Sequence, residues 1–214
     1  MNRLSTLIIV FITALSLQSC NSDTKSDEEI ISNILPQIVD SLEIQHIQFP
    51  PPPPPNDSIK IYPDLIKWRK KLDSIESQDK MIILVDDTLE IIEKDNFKIK
   101  KILESNNFSS LSASFEQNKI PRKIDLKKLN NFNDYEFLYM SNHIKTGLQI
   151  FDIENKKFGG LLRFSQVYLN ESKSKGILKC SYIISRDFGQ GYILTIEKIE
   201  NQWRITEFHF NWIS

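Results

Sequence analysis

Hydrophobic positions change their spacing several times along the chain, and each spacing predicts a different element. From Leu4 to Leu17 apolar residues dominate behind Arg3, and the run stops at Leu17-Gln18-Ser19-Cys20. A bilayer-spanning helix needs roughly 20 apolar residues. This run is shorter, and a basic start before a short apolar stretch is the pattern of a secretory signal. In residues 27–47, Ile30, Ile31, Ile34, Leu35, Ile38, Val39 and Leu42 fall on i, i+4 rows, which predicts one apolar helical stripe. Ser26 and Glu29 fit a capping box at its start, and Pro36 predicts a kink or a restart. The stripe is expected to dock on the domain; lying on a membrane or pairing with a partner are the alternatives. Leu65, Trp68, Leu72 and Ile75 repeat the helical spacing after Pro63, which suits a first helical turn. Lys67, Arg69, Lys70 and Lys71 lie between them as a solvated face.

Strand periods take over elsewhere. Ser58–Tyr62 alternates like a short strand, and Met81–Val85 (MIILV) reads as a buried one. Residues 96–103 and 135–140 are weaker strand candidates, and the Ser- and Asn-rich stretch 104–119 reads as loop. The C-terminal block is clearest: LLRFSQVYL (161–169), GILKCSYII (176–184), GYILTIEKI (191–199) and QWRITEFHFNWI (202–213), separated by the turns NESKSK, RDFGQ and EN. Short polar loops between β-branched and aromatic runs predict antiparallel hairpins. In the second run Leu178, Cys180, Tyr182 and Ile184 share a face, opposite Lys179 and Ser181. In the last run Trp203 and Ile205 have one parity, and Phe208, Phe210 and Trp212 the other. A bulge near Thr206–Glu207 would reconcile them, as would a strand buried on both sides. The fold class expected is therefore α+β: an antiparallel β-meander sheet at the C-terminus with one or two N-terminal helices.

Composition sharpens the segmentation. All nine prolines fall at or before Pro121 and all six glycines at or after Gly147, which separates an extended first part from a turn-rich sheet. Pro50–Pro55 is an unbroken run that must adopt polyproline II, at about 3.1 Å per residue. It reads as a semi-rigid spacer holding the domain off a membrane, in preference to a ligand for an aromatic groove. Three segments are expected: a signal at 1–19, a tether with a short helix and polyproline spacer at 20–56, and a single α+β domain at 57–214. Loss of residues 1–19 removes Arg3 and takes the formal charge from −1 to −2. So near a balance argues against nucleic acid as a partner, because such domains are strongly basic. The locally basic KIPRKIDLKK (119–128) reads as a solvated strand edge, with phosphate or an acidic partner as the alternative.

The segment Leu17-Gln18-Ser19-Cys20, with Leu three residues before the Cys and a small residue just before it, resembles a bacterial lipobox. That resemblance implies acylation of the Cys20 thiol and cleavage before it. Lipidation contributes about 0.8 kcal/mol per buried CH₂, so several chains anchor stably. Asn21 after the Cys is similar to outer-membrane sorting in enteric-type lipoproteins. The acids Asp23, Asp27, Glu28 and Glu29 resemble the surface-export signal of Bacteroidetes lipoproteins, though a solvated tether would look the same. Phe164, Ser165, Val167, Tyr168, Gly189, Gly191, Tyr192, Lys198 and Trp203 form a pattern that resembles a C-terminal module of uncharacterised Bacteroidetes lipoproteins. It covers about 50 residues and implies no reaction. The ending of strand, polar turn and Trp-bearing strand is also similar to cone-shaped NTF2-like domains.

Candidate chemistry is sparse. With Cys20 lipidated, only Cys180 remains, so no internal disulfide can form; in its apolar strand it reads as a small core residue. Gly189-Gln190-Gly191 is a lone G-x-G with Leu194 where a third glycine would stand, and it reads as a hairpin turn. Asp86-Asp87 reads as a strand end entering a turn, not a phosphoacceptor or Mg²⁺ site. His46, His143 and His209 lack second ligands at tight spacing. No catalytic residue, metal ligand or cofactor site is nominated; the one site residue is Cys20. The functional expectation is a non-catalytic envelope lipoprotein, held in the outer membrane by Cys20, that binds an envelope protein or a glycan or serves a structural role. An immunity-type lipoprotein and an envelope hydrolase with an unrecognised site are the alternatives.

Overall fold

In a computed structural model the chain is described over residues 22–44, 63–93, 96–104, 108–116, 120–129, 134–145 and 156–214. Cys20 with its signal segment, the Pro50–Pro55 run, Ser58–Tyr62 and His46 lie outside these residues. The described residues open with helix α1 (Ser22–Ser41) and helix α2 (Pro63–Glu76). Strands β1 (Met81–Val85) and β2 (Thr88–Leu89) follow, then helix α3 (Phe97–Glu104) and a 3₁₀ segment, Ser109–Glu116. Next come β3 (Arg122–Lys123), a 3₁₀ turn at Leu126–Lys128, β4 (Tyr135–Tyr139) and α4 (Met140–Lys145). The rest is sheet: β5 (Phe158–Phe164), β6 (Tyr168–Leu169), β7 (Lys175–Ile183), β8 (Gly189–Ile199) and β9 (Gln202–Ile213).

Seven strands form one sheet in the order β4-β1-β5-β7-β8-β9, with β6 also pairing β7. The C-terminal meander is present: β7–β8–β9 is antiparallel throughout. The sheet is nevertheless mixed, because β1 pairs β4 and β5 in parallel. That corrects the expectation of an antiparallel meander alone. The physical reason lies in β1, whose five residues are all buried. A strand covered on both faces and flanked on both edges suits the parallel interior of a sheet. The 161–169 run is also not one strand. Ser165–Val167 leave the β5 ladder, and Gln166 N–H donates to the Glu90 carbonyl at 2.8 Å.

The hairpins follow from local chemistry. Glu200 and Asn201 both have positive φ, 50° and 65°, as the two-residue turn between twisted strands requires. The expected bulge is present: Thr195 opposes Glu207 and Ile196 opposes Ile205, leaving Thr206 as the extra residue. A second bulge leaves Asn211 extra between Trp212 and Phe210. With the parity corrected, Trp203, Ile205, Phe208 and Phe210 share the face of Ile196, Leu194 and Tyr192.

Helix α1 covers that face. Its seven stripe residues are all buried, within one cluster that runs from Phe137 and Val85 through Leu162, Leu178 and Cys180 to Leu194 and Trp203. Docking is therefore the outcome, and the helix belongs to the core, not to a tether. It starts at Ser22, so Ser26 lies inside it and cannot cap it, and it runs unbroken through Pro36. A Pro inside a helix costs about 3 kcal/mol, whereas burying each large aliphatic contributes about 1.5–3 kcal/mol. Seven such residues decide the matter, and Pro36 itself faces solvent. The first turns are pinned as well. Asp27 and Glu28 are buried and pair with Arg122 and Lys128, and Glu28 also accepts from the Asp125 N–H at 3.0 Å. The hydrogen bond to Glu28 holds the Lys128 ammonium above the usual lysine range, against the opposing pull of desolvation. These acids are thus not a solvated linker. Residues 120–128 are only partly a solvated edge: Lys123, Lys127 and Lys128 are exposed, whereas Ile124 and Leu126 are buried.

The opposite face is covered differently. Residues 96–103, expected as strand, form α3, and Ile99, Ile102 and Leu103 pack with Phe108, Leu111, Tyr168, Ile177 and Ile193. Part of the expected loop 104–119 is the 3₁₀ segment whose Phe115 stacks on Tyr168 at 4.2 Å. Around α4, Met140 packs on a separate cluster of Ile82, Leu84, Phe158 and Leu161. Helix α2 keeps Lys67, Arg69, Lys70 and Lys71 exposed, as its spacing implies.

Tyr182 yields a pH prediction. Its hydroxyl donates to the Gly159 carbonyl at 2.7 Å, and its ring lies against Gly160, whose φ of +106° and missing Cβ admit that approach. Burial, with a smaller contribution from Tyr135, pushes its phenol up to about 12. The folded state therefore keeps a proton that the unfolded chain releases near pH 10. Stability from this residue is complete below about pH 10 and is lost as pH rises towards 12. Urea midpoints at pH 9 and 11.5 should fall further for the wild type than for Tyr182→Phe, which has no phenol to titrate.

Candidate functional site

The face carrying α1 has one continuous apolar cluster, whereas the opposite face is split into the α3 cluster and the α4 cluster. The gap between them is polar. Strand alternation puts Arg163 of β5, Lys179 and Ser181 of β7, and Gly191 of β8 on that face. Arg163 opposes Ser181, Ser181 opposes Gly191, and Gly191 opposes Trp212. Four strands in register span roughly 14 Å at ~4.8 Å each. Arg163, Lys179, Ser181 and Trp212 are each partly exposed, so the row forms an open trough.

The indole of Trp212 lies over two glycines of β8. A Cβ on Gly191 would stand 2.1 Å from its Nε1, and one on Gly189 would stand 3.1 Å from its outer ring. This corrects the reading of Gly189-Gln190-Gly191 as a turn. The turn is Ser185–Asp187, closed by Ile184 N–H and Ser185 N–H donating to the Phe188 carbonyl at 2.9 and 3.1 Å. Both glycines sit in β8, and neither has positive φ. They are glycine because an indole occupies the space above them. Glycine inside a strand forgoes packing and costs chain entropy, so these two positions give up stability for the placement of one ring.

At the other end of the row, Arg163 Nε lies 3.2 Å from Asp86 Oδ2. Asp86 also accepts from the Thr88 N–H at 3.1 Å. Its neighbour Asp87 is buried and accepts from the N–H and hydroxyl of Ser141, at 2.9 and 2.5 Å, at the start of α4. Parallel strands do flank this acidic pair, but local groups occupy both carboxylates, as a strand end entering a turn requires. Arg163 and Lys179 thus bring two cations to this face, the first of them engaged by Asp86.

The remaining candidates are dispersed. Cys180 is buried on the α1 face, where burial pushes its thiol up, so it fits the small core residue expected. His143 is half-buried in α4. His209 lies in β9 with Nε2 3.5 Å from Glu207 Oε2. Among the described residues no three His, Cys, Asp or Glu side chains group as a metal site would require. None of the described helices is long and apolar enough to cross a membrane. Sequence reasoning put Lys179 and Ser181 on the face opposite Cys180 but missed Arg163 and Trp212 as their partners. Only the strand register brings these residues together.

Comparison with protein-family models, with curated proteins and with solved structures gave no match.

Proposed function

We propose that this chain is an envelope lipoprotein, anchored in the outer membrane through acylated Cys20, whose α+β domain is a non-catalytic binding module for an envelope protein or glycan. The observation that carries the binding reading is the trough. An indole laid over two strand glycines beside a partly exposed Arg, Lys and Ser gathers an aromatic ring, two cations and a hydroxyl on one open face, which suits a recognition surface. The anchor reading rests on the lipobox.

The fold changes what anchoring entails. Helix α1 starts at Ser22, two residues after Cys20, and its inward-facing residues are buried from Asp27 onwards. The lipid would thus join almost directly to the core. The Pro50–Pro55 run falls between α1 and α2 in sequence, and so is not the link from membrane to core. Cys20→Ala should abolish palmitate labelling and move the protein from the membrane to the soluble fraction. An unlabelled wild type, or a variant that still sediments with membranes, would remove the anchor.

A further inference from the structure

We propose that the trough between α3 and α4 binds a sugar ring bearing a carboxylate, with Trp212 as the stacking platform and Arg163 and Lys179 as the anion-binding pair. The inference rests on the binding-module reading and names its ligand class and its site. Three observations carry it. First, the indole of Trp212 lies over Gly191 and Gly189 and is partly exposed. A broad flat ring beside an open floor suits the apolar face of a sugar, because aromatic side chains combine a large apolar body with a polar edge.

Second, the floor is low. Between Trp212's resting place on β8 and Arg163 on β5 stands only Ser181, in register with both. Two strand spacings, roughly 10 Å from axis to axis, separate the indole from Arg163, so a sugar stacked on the ring extends its carboxylate towards the guanidinium, and the Ser181 hydroxyl supplies a donor and acceptors for ring hydroxyls.

Third, two cations stand on this face. Asp86 engages Arg163 at 3.2 Å, but a guanidinium has five donors, so others are left for a carboxylate, which Arg binds as a fork. Lys179, two residues from Ser181 on the same face, adds a second cation. A neutral sugar would offer these two cations no counter-charge.

The test uses the full lipidated protein in detergent, titrated with galacturonic acid oligomers and with neutral galactose oligomers, and read by tryptophan emission. The acidic oligomer should give a saturable change with a Kd of about 0.1–1 mM, the strength of a small open site. The neutral oligomer should bind at least about tenfold more weakly. Arg163→Gln and Lys179→Gln, both at partly exposed positions, should each erase that preference while the thermal transition persists, and Trp212→Ala should abolish the emission change. Three results would overturn the proposal: no saturable response to either oligomer, an acidic preference unchanged in the Arg163→Gln/Lys179→Gln double variant, or inorganic phosphate competing as well as the acidic sugar. A protein that ignores sugars yet forms a specific crosslinked adduct in native envelopes would retain the binding-module reading and lose this one.

Discussion

Ile34→Asp should leave the domain without a cooperative unfolding transition. Ile34 is 0 % exposed, midway along the α1 stripe and inside the cluster that spans the sheet. An unpaired carboxylate there must either stay charged in an apolar site or take up a proton, and both are costly. The aliphatic contacts are lost as well. Ile34→Ala gives the graded version, about 2–5 kcal/mol for a large-to-small change in a packed core. A domain holds only about 5–15 kcal/mol in all, so the Asp variant should fall below the threshold and the Ala variant should melt early. Lys70→Ala, on the exposed face of α2, should stay within about 0.5 kcal/mol of wild type. Circular dichroism melts of the three variants make the comparison. A normal transition for Ile34→Asp would mean that α1 does not sit in the core.

The second large effect concerns the glycine beneath Trp212. Gly191→Ala places a methyl 2.1 Å from Trp212 Nε1, closer than any side chain tolerates. The ring belongs to a residue of the paired strand β9, so it must lift off the sheet. Overpacking of this kind costs about 1–3 kcal/mol, and Trp212 emission should shift to the red as the indole meets water. On a Trp212→Ala background the same methyl has room. There Gly191→Ala should be neutral or stabilising, because Ala is the better strand residue. The coupling between the two sites should lie within the 0.5–3 kcal/mol seen for residues in contact. Urea denaturation of the wild type, both single variants and the double variant closes the cycle. Additive effects would place the indole elsewhere.

What could be read from sequence depended on how local the determining physics was. The β7–β8–β9 meander was legible because each strand carries its own period-two pattern and each turn its own signal. Even the Thr206 bulge announced itself as a break in parity between Ile205 and Phe208. The parallel neighbours of β1 were not legible, since a parallel pair has no hairpin turn to mark it and Met81–Val85 looks the same in any buried setting. Residues 97–104 fit both periods: Phe97 and Ile99 alternate with lysines, while Ile99, Ile102 and Leu103 lie on one helical face. Packing on Tyr168 and Ile193 selected the helix. The α1 stripe was visible, but its place straight after the lipobox suggested a linker. The salt-bridge partners of Asp27 and Glu28, some hundred residues away, could not be seen locally. The trough was hidden for the same reason. Arg163, Ser181, Gly191 and Trp212 become one row only when three strand pairings are known.

Helix α1 is a structural helix of the core with the trough on the opposite face of the sheet, and the proposed anchor at Cys20 would lead straight into it. Hydrogen exchange of the full-length protein tests this most directly. The amides of residues 30–41 should be protected to the same level as those of β7 and β8, because they open only with the whole domain. Exchange of those amides at the rate of an unstructured linker, while β7 and β8 stay protected, would contradict it.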